Sequence, residues 1–135
     1  MGLDPLNLTG TWHGTFTYPS NAGPATPFLA TIEELSGHFQ GTIIEPDAIY
    51  GQGTIHAALS GHRAGAAVDF VKTYTAAPLG YENPIDYVGQ VSADGLRVKG
   101  VWSLLDFDGS FEMERDKITE AGAETTERVS EPIVL

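Results

Sequence analysis

Short segments in which apolar and polar residues alternate with a period of two run through most of this chain, and turn residues separate them. Such alternation is typical of β-strands with one buried and one solvated face. We place eight segments, at about 8–18, 27–35, 38–45, 54–61, 66–75, 85–92, 96–104 and 110–116. Strands this short and evenly spaced predict an all-β sandwich or barrel.

Clusters of Gly, Asp, Asn, Pro and Ser mark the predicted connections between these strands. Ser36-Gly37 predicts a tight hairpin, and Ala93-Asp94-Gly95 carries the Asp-Gly hairpin signal. Two further turns are expected at Arg63-Ala64-Gly65 and at Asp106-Phe107-Asp108-Gly109. The first of these leaves His62 in a turn.

Composition limits the classes of partner. The formal net charge of −11 and the pI of about 4.5 give a surface that repels nucleic acid and anionic membranes, so neither is expected as a partner. The sequence has no Cys, no signal-peptide pattern at its start and no long apolar run. These features favour a cytoplasmic location.

The chain of 135 residues is long enough for one domain with a real core. Residues 117–135 are polar, and Pro132 interrupts any helix there. We therefore expect a barrel domain at 1–116 and a C-terminal tail at 117–135, either mobile or docked on the outside.

The two ends of the predicted sheet carry a matched pair of residues. Gly10-x-Trp12 lies on the first strand, and Arg115 lies on the last. A guanidinium that stacks on an indole where first and last strands pair would cap one end of a closed barrel. We assign Gly10, Trp12 and Arg115 structural roles at this closed end.

Trp12 is large and apolar, so we assign it to the lumen, and every second residue from it along the strand faces the lumen too. By that parity, polar and aromatic residues gather late on odd strands and early on even ones, which is the opposite end of the barrel. The candidate ligand-binding residues at this open mouth and its walls are Tyr18, Glu45, Phe70, Lys72, Tyr74, Tyr87 and Trp102. An apolar lumen with a few polar groups at one mouth is typical of a small-molecule pocket.

Several short motifs resemble those of the calycin group, and most closely the avidins and streptavidins. Gly10-Thr11-Trp12 resembles their first strand, and Phe39-Gln40-Gly41-Thr42 resembles the Leu-Thr-Gly-Thr of their third strand. Gly89-Gln90-Val91 and Val101-Trp102-Ser103-Leu104-Leu105 resemble their sixth and seventh strands. The resemblance implies a single eight-stranded antiparallel up-and-down β-barrel.

The biotin-contacting groups of the avidins do not carry over. Gly14 stands where their first-strand Asn would be, and Ile43 and Glu45 replace their third-strand Tyr and Ser. Phe70 and Tyr87 stand at the positions of two binding-site tryptophans. Without the hydrogen-bond partners of a ureido ring, we expect no tight biotin binding.

Three functions fit these residues. The favoured one is non-catalytic binding of a small, mainly apolar or aromatic ligand in the mouth. A second is a small barrel enzyme that uses Glu45 and Lys72 for acid–base chemistry. A third is a protein–protein interaction module, since large side chains can fill an eight-stranded lumen completely.

No cofactor or metal is expected. Of the four histidines, His13, His38 and His56 face outward by parity, and their spacing matches no metal motif. A heme-binding barrel would need a lumenal His late in the chain, and none follows His62.

The outer wall carries a predicted apolar stripe. Its members are Ile44, Ala58, Val71, Val88 and Val101. The stripe predicts a homodimer through the barrel wall, with scattered surface hydrophobes as the alternative.

Overall fold

The eight alternating segments form a closed barrel. The computed structural model describes residues 4–18, 25–46, 53–75 and 83–116. The strands are β1 (Gly10–Thr17), β2 (Thr26–Leu35), β3 (His38–Pro46), β4 (Thr54–Ala64), β5 (Ala67–Thr75), β6 (Ile85–Val91), β7 (Arg97–Leu104) and β8 (Phe107–Glu114). Each strand pairs antiparallel with its neighbours in chain order. The predicted all-β, eight-stranded up-and-down barrel is therefore confirmed.

The barrel closes where β1 pairs with β8. Gly14 is the register partner of Met113, and Phe16 is the partner of Phe111. Closure leaves neither strand with an unpaired edge, which removes the main aggregation hazard of an open sheet. It also fixes which residues face inward all the way round.

The lumen is filled by the residues that alternation predicts. Apolar side chains from every strand point inward and form one core, whose largest fully buried members include Trp12, Phe39, Ile32 and Val98. Lys72 is equally buried, and it is the one cation among these largest buried side chains of the described ranges. The core therefore encloses a charged side chain.

Connections differ between the two ends of the barrel. At one end, β2–β3 and β4–β5 are joined by the two-residue turns 36–37 and 65–66. At the other end, the sequence segments between β1 and β2, β3 and β4, and β5 and β6 are 18–25, 47–53 and 76–84. Much of these three segments lies outside the described residues, as does the predicted tail at 117–135.

Two predicted turns are wrong. β4 continues to Ala64, so His62 lies in a strand and the turn is Gly65-Ala66. β8 begins at Phe107, so the 106–109 segment is mostly strand.

Packing explains why a turn-like sequence forms a strand there. A Cβ on Gly109 would clash with the Thr17 carbonyl oxygen on β1 and come 2.6 Å from the Trp102 indole nitrogen, both far inside contact distance. Gly109 is thus required for the close approach of β1 and of the Trp102 ring rather than for a turn. Gly100 shows a related constraint, since a Cβ there would clash with the carbonyl oxygen of Val88 on the adjacent strand.

The outer wall is mostly polar but carries exposed apolar side chains. Val88 and Val101 are register partners on β6 and β7, and each is 56% exposed. Ile44 and Val71 are less exposed, at 37% and 38%. In the described ranges, the chain has no helix long and apolar enough to cross a membrane.

Candidate functional site

A buried ion pair lies inside the barrel toward the mouth. Lys72 Nζ is 2.9 Å from Glu45 Oε2, and each side chain is only 1% exposed. The Tyr74 hydroxyl donates a 2.6 Å hydrogen bond to the other carboxylate oxygen, Oε1. One carboxylate thus accepts from an ammonium on one side and a phenol on the other. Glu45 comes from β3, whereas Lys72 and Tyr74 come from β5.

Aromatic rings surround the ammonium. Lys72 Nζ lies 4.4 Å from the ring centre of Phe16, 4.7 Å from that of Tyr74 and 5.5 Å from that of Tyr87. The negative faces of such rings attract a cation, and more strongly when water is excluded. The rings therefore stabilise a charge that the surrounding core would otherwise disfavour.

Burial changes the proton affinity of the groups at this site. Desolvation lowers the pKa of Lys72, although the nearby Glu45 carboxylate acts in the opposite direction. Desolvation also raises the pKa of Tyr87, with a further contribution from the Glu45 charge. The phenol of Tyr87 consequently stays neutral.

Below the ion pair, stacked rings fill the lumen. The rings of Phe70 and Tyr87 lie parallel with centroids 4.7 Å apart, and Phe111 meets both edge-on. Phe39 also packs edge-on against Phe70, with ring centroids 5.8 Å apart. These contacts close the middle of the barrel, so Phe70 and Tyr87 form a floor rather than the side walls of a deep pocket.

Toward the mouth, Tyr18 and Trp102 complete the aromatic lining. Their ring centroids are 6.1 Å apart and nearly perpendicular, and Phe16 lies edge-on to both. The Tyr18 hydroxyl is hydrogen bonded to the Thr26 hydroxyl at 2.8 Å, and the Trp102 indole donates to the Thr17 carbonyl. Tyr18 and Tyr74 are half-buried, so they present aromatic surface at this end.

All seven predicted ligand-binding residues therefore belong to one connected cluster, with different depths. Tyr18 and Tyr74 are the outermost, and Trp102 is 6% exposed. Glu45 and Lys72 lie one layer deeper, and Phe70 and Tyr87 close the floor. Of the two outer tyrosines, Tyr74 is held by the buried Glu45 carboxylate, and Tyr18 is held by the Thr26 hydroxyl.

The opposite end is capped by Arg115 and Trp12. The Arg115 guanidinium carbon lies 4.4 Å from the centre of the Trp12 ring system. The guanidinium donates hydrogen bonds to the carbonyls of Gly95, Thr9, Asn7 and Pro5. Desolvation lowers the pKa of Arg115. The adjacent Gly10 has a φ of +141°, which few other residues adopt.

A second buried ion pair near the closed end was missed by the sequence reasoning. Arg63 donates to both oxygens of Glu34 at 2.8 Å, and the Leu8 backbone N–H donates to Glu34 at 3.0 Å. Arg63 also reaches Asp4 at 2.7 Å. Strand parity contained the signal, because Glu34 follows Ile32 by two residues and Arg63 continues the inward face of β4. These contacts attach the segment before β1 to the barrel end.

The fold and site define a class, the closed eight-stranded antiparallel β-barrel with a polar–aromatic mouth. No protein-family model matches the chain, and no curated protein matches it. Among solved structures, the chain is similar to a de novo designed fluorescence-activating β-barrel. The two are 13% identical with a TM-score of 0.64, over 86% of this chain and 100% of the designed one. At this identity the similarity supports the fold alone.

Proposed function

We propose that this protein binds a small, mainly apolar or aromatic molecule at the mouth of the barrel, without catalysis. The observation that carries the proposal is the Lys72–Glu45 pair, buried among aromatic rings toward the predicted mouth. A barrel that needed only a stable core would be served as well by apolar residues, since burying two charges costs several kcal/mol per ion before their attraction offsets it. Retained buried charges in an aromatic setting favour a binding role.

The ligand would lie near the half-buried rings of Tyr18 and Tyr74, with Trp102 at the wall. Glu45 holds Tyr74 through its 2.6 Å hydrogen bond, and Lys72 in turn holds Glu45. The buried pair therefore positions the outer ring and contributes an electric field at the mouth. The similarity to a designed barrel described as fluorescence-activating is compatible with this role.

A relationship to the calycin group is part of the proposal. It is supported by Gly10-x-Trp12 together with the Arg115 cap, and by the up-and-down closure. Since the avidin hydrogen-bonding residues are replaced, the proposed ligand is not biotin.

Trp102 emission tests the proposal. The chain has two tryptophans, and Trp12 lies at the far end, so a ligand at the mouth should change the emission of Trp102 selectively. We expect a saturable change with an aromatic acid such as 1-naphthoate and with neutral naphthalene methanol. Trp102→Phe should remove most of the change while both ligands still compete with a fluorescent hydrophobic probe.

Charge variants sharpen the test. Lys72→Met should weaken naphthoate more than the neutral alcohol, because it removes an attractive charge from a partly dry site. Glu45→Gln should favour naphthoate by removing a like charge. Lys99→Met is the matched control, since Lys99 is exposed on the outer wall. Equal effects of Lys72→Met and Lys99→Met, or no saturable change in a broad screen, would leave the filled-barrel interaction module as the better account.

A further inference from the structure

Two histidines that are far apart in the chain meet on the outer wall of the barrel. His38 on β3 and His62 on β4 are register partners, and both side chains are exposed. His38 Nδ1 lies 3.4 Å from His62 Nε2, and the ring centroids are 4.9 Å apart. The two imidazoles therefore already hold one nitrogen each within hydrogen-bond distance, and which ring donates depends on the tautomers.

The backbone register makes this approach close. The Arg63 N–H donates to the Gly37 carbonyl at 2.7 Å, which makes Gly37 and Arg63 a hydrogen-bonded pair. The next pair, His38 and His62, is therefore a non-hydrogen-bonded pair, in which Cα atoms come within about 4.5 Å and side chains are closest. Both histidines are carried by paired strands of a closed barrel, so little ordering of the backbone is needed for them to act together.

We propose that His38 and His62 form a two-histidine binding site for a divalent transition-metal ion such as Zn²⁺, Ni²⁺ or Cu²⁺. Imidazole nitrogen is a good ligand for all three metals. Two nitrogens 3.4 Å apart, each about 2.05 Å from one zinc ion, subtend about 110° at the metal, which is the tetrahedral angle. In this arrangement the other nitrogen of each neutral ring carries the proton.

The surroundings favour a cation at this point. Asp69 on β5 is the register partner of His62 and is exposed on the same outer face. The chain as a whole carries a formal charge of −11, which raises the local concentration of cations.

The site supplies two protein ligands and leaves the remaining coordination positions open. Within residues 4–18, 25–46, 53–75 and 83–116, no group of three or more His, Cys, Asp or Glu could hold a metal. Water or an added ligand would fill the other positions, as in open rather than structural metal sites.

Sequence spacing could not reveal this pair. The two residues are separated by 24 positions, and the expectation of no metal site rested on motif spacing and on His62 in a turn. The extension of β4 to Ala64 brings His62 into register with His38.

Metal titration of the full chain tests the proposal. Isothermal titration with ZnCl₂ in a non-chelating buffer at neutral pH should show one site per chain, and Cu²⁺ electron paramagnetic resonance should show nitrogen ligation. His38→Gln or His62→Gln should weaken binding by about tenfold or more, because the second, intramolecular contact is lost. His13→Gln and His56→Gln are matched controls, since both residues are exposed on the outer wall, and they should retain the parent affinity.

A gain-of-site variant tests the geometry separately. Ile44 is the register partner of His56 on the same strands and the same face as His38 and His62. The two pairs are six residues apart on each strand, so Ile44 and His56 also form a non-hydrogen-bonded pair. Ile44→His should therefore raise the stoichiometry from one metal ion to two. Parent affinity in His62→Gln, equal losses in all four histidine variants, or an unchanged stoichiometry in Ile44→His would each overturn the proposal.

Discussion

The Lys72 ammonium lies 2.9 Å from the Glu45 carboxylate in a part of the barrel where both side chains are 99% shielded from solvent. Removing one member of such a pair leaves an uncompensated buried charge, whereas replacing both with apolar residues of similar volume is often neutral or stabilising. Variants of this pair can therefore separate its contribution to folding stability from its proposed contribution to ligand binding at the mouth.

We predict that Lys72→Met alone lowers the free energy of unfolding by about 3–5 kcal/mol. The double variant Lys72→Met with Glu45→Leu should recover most of that loss, because no unpaired charge remains. Urea unfolding monitored by circular dichroism gives both values. A cost below about 1 kcal/mol for Lys72→Met would show that the pair is solvated and not buried. If the double variant folds well yet fails to bind mouth ligands, the pair is retained for binding.

The closed end gives a second prediction. Trp12 is fully buried, and its indole donates a 2.9 Å hydrogen bond to the Leu8 carbonyl and lies beneath Arg115. Trp12→Ala should destabilise the protein by about 3–5 kcal/mol, because it opens a cavity and uncovers the guanidinium. Phe107→Ala is a suitable control, since Phe107 is 60% exposed. A denaturant midpoint as high for Trp12→Ala as for Phe107→Ala would contradict the cap.

Much of this barrel could be predicted from local patterns. Period-two alternation indicates which face of a strand is buried. The inward position of Lys72 and Glu45 followed from the same alternation that places Trp12 in the lumen. The number of strands followed from the turns between alternating runs. Both are local properties that a sequence expresses within about ten residues.

Features that depend on neighbouring strands could not be predicted in the same way. Gly109 belongs to a predicted turn, yet the absence of a side chain there makes room for the Thr17 carbonyl oxygen on β1 and for the Trp102 ring on β7. The meeting of His38 and His62 depends on the exact register of β3 and β4. The Glu34–Arg63 contact depends on the segment before β1 as well, since Leu8 completes it.

The outer wall gives a third prediction, the homodimer. Val88 and Val101 are exposed side by side, and Val71 lies on the adjacent strand β5. If copies associate through this stripe, the parent should sediment as a dimer, and Val88→Glu should make it a monomer by placing like charges in the contact. Thr11→Glu adds the same charge on β1, away from the stripe, and should leave the dimer intact. A parent that sediments as a monomer at all concentrations would show that these side chains are scattered surface hydrophobes.

The Glu34–Arg63 pair gives a prediction about acid stability. Burial acts to raise the pKa of Glu34, but hydrogen bonds from Arg63 and the Leu8 N–H outweigh it, so the pKa lies below the ordinary value of 4.5. Between the folded and unfolded pKa values the unfolded state binds more protons, and folding stability therefore falls as the pH decreases. The contribution of Glu34 is fully present above pH 4.5 and is lost progressively below it.

We therefore predict that Glu34→Gln flattens the decline in stability below about pH 4.5. The measurement is the free energy of unfolding in urea from about pH 7, where ordinary carboxyl groups are ionised, down to about pH 3, where most are protonated. Glu34→Gln should be less stable than the parent at pH 7, because the amide cannot accept two charge-assisted hydrogen bonds from Arg63. Glu33→Gln alters the exposed neighbour on the same strand and should keep the parental pH dependence. If the free energy of unfolding depends on pH in the same way for Glu34→Gln and the parent, the bond between Arg63 and Glu34 does not contribute to acid stability.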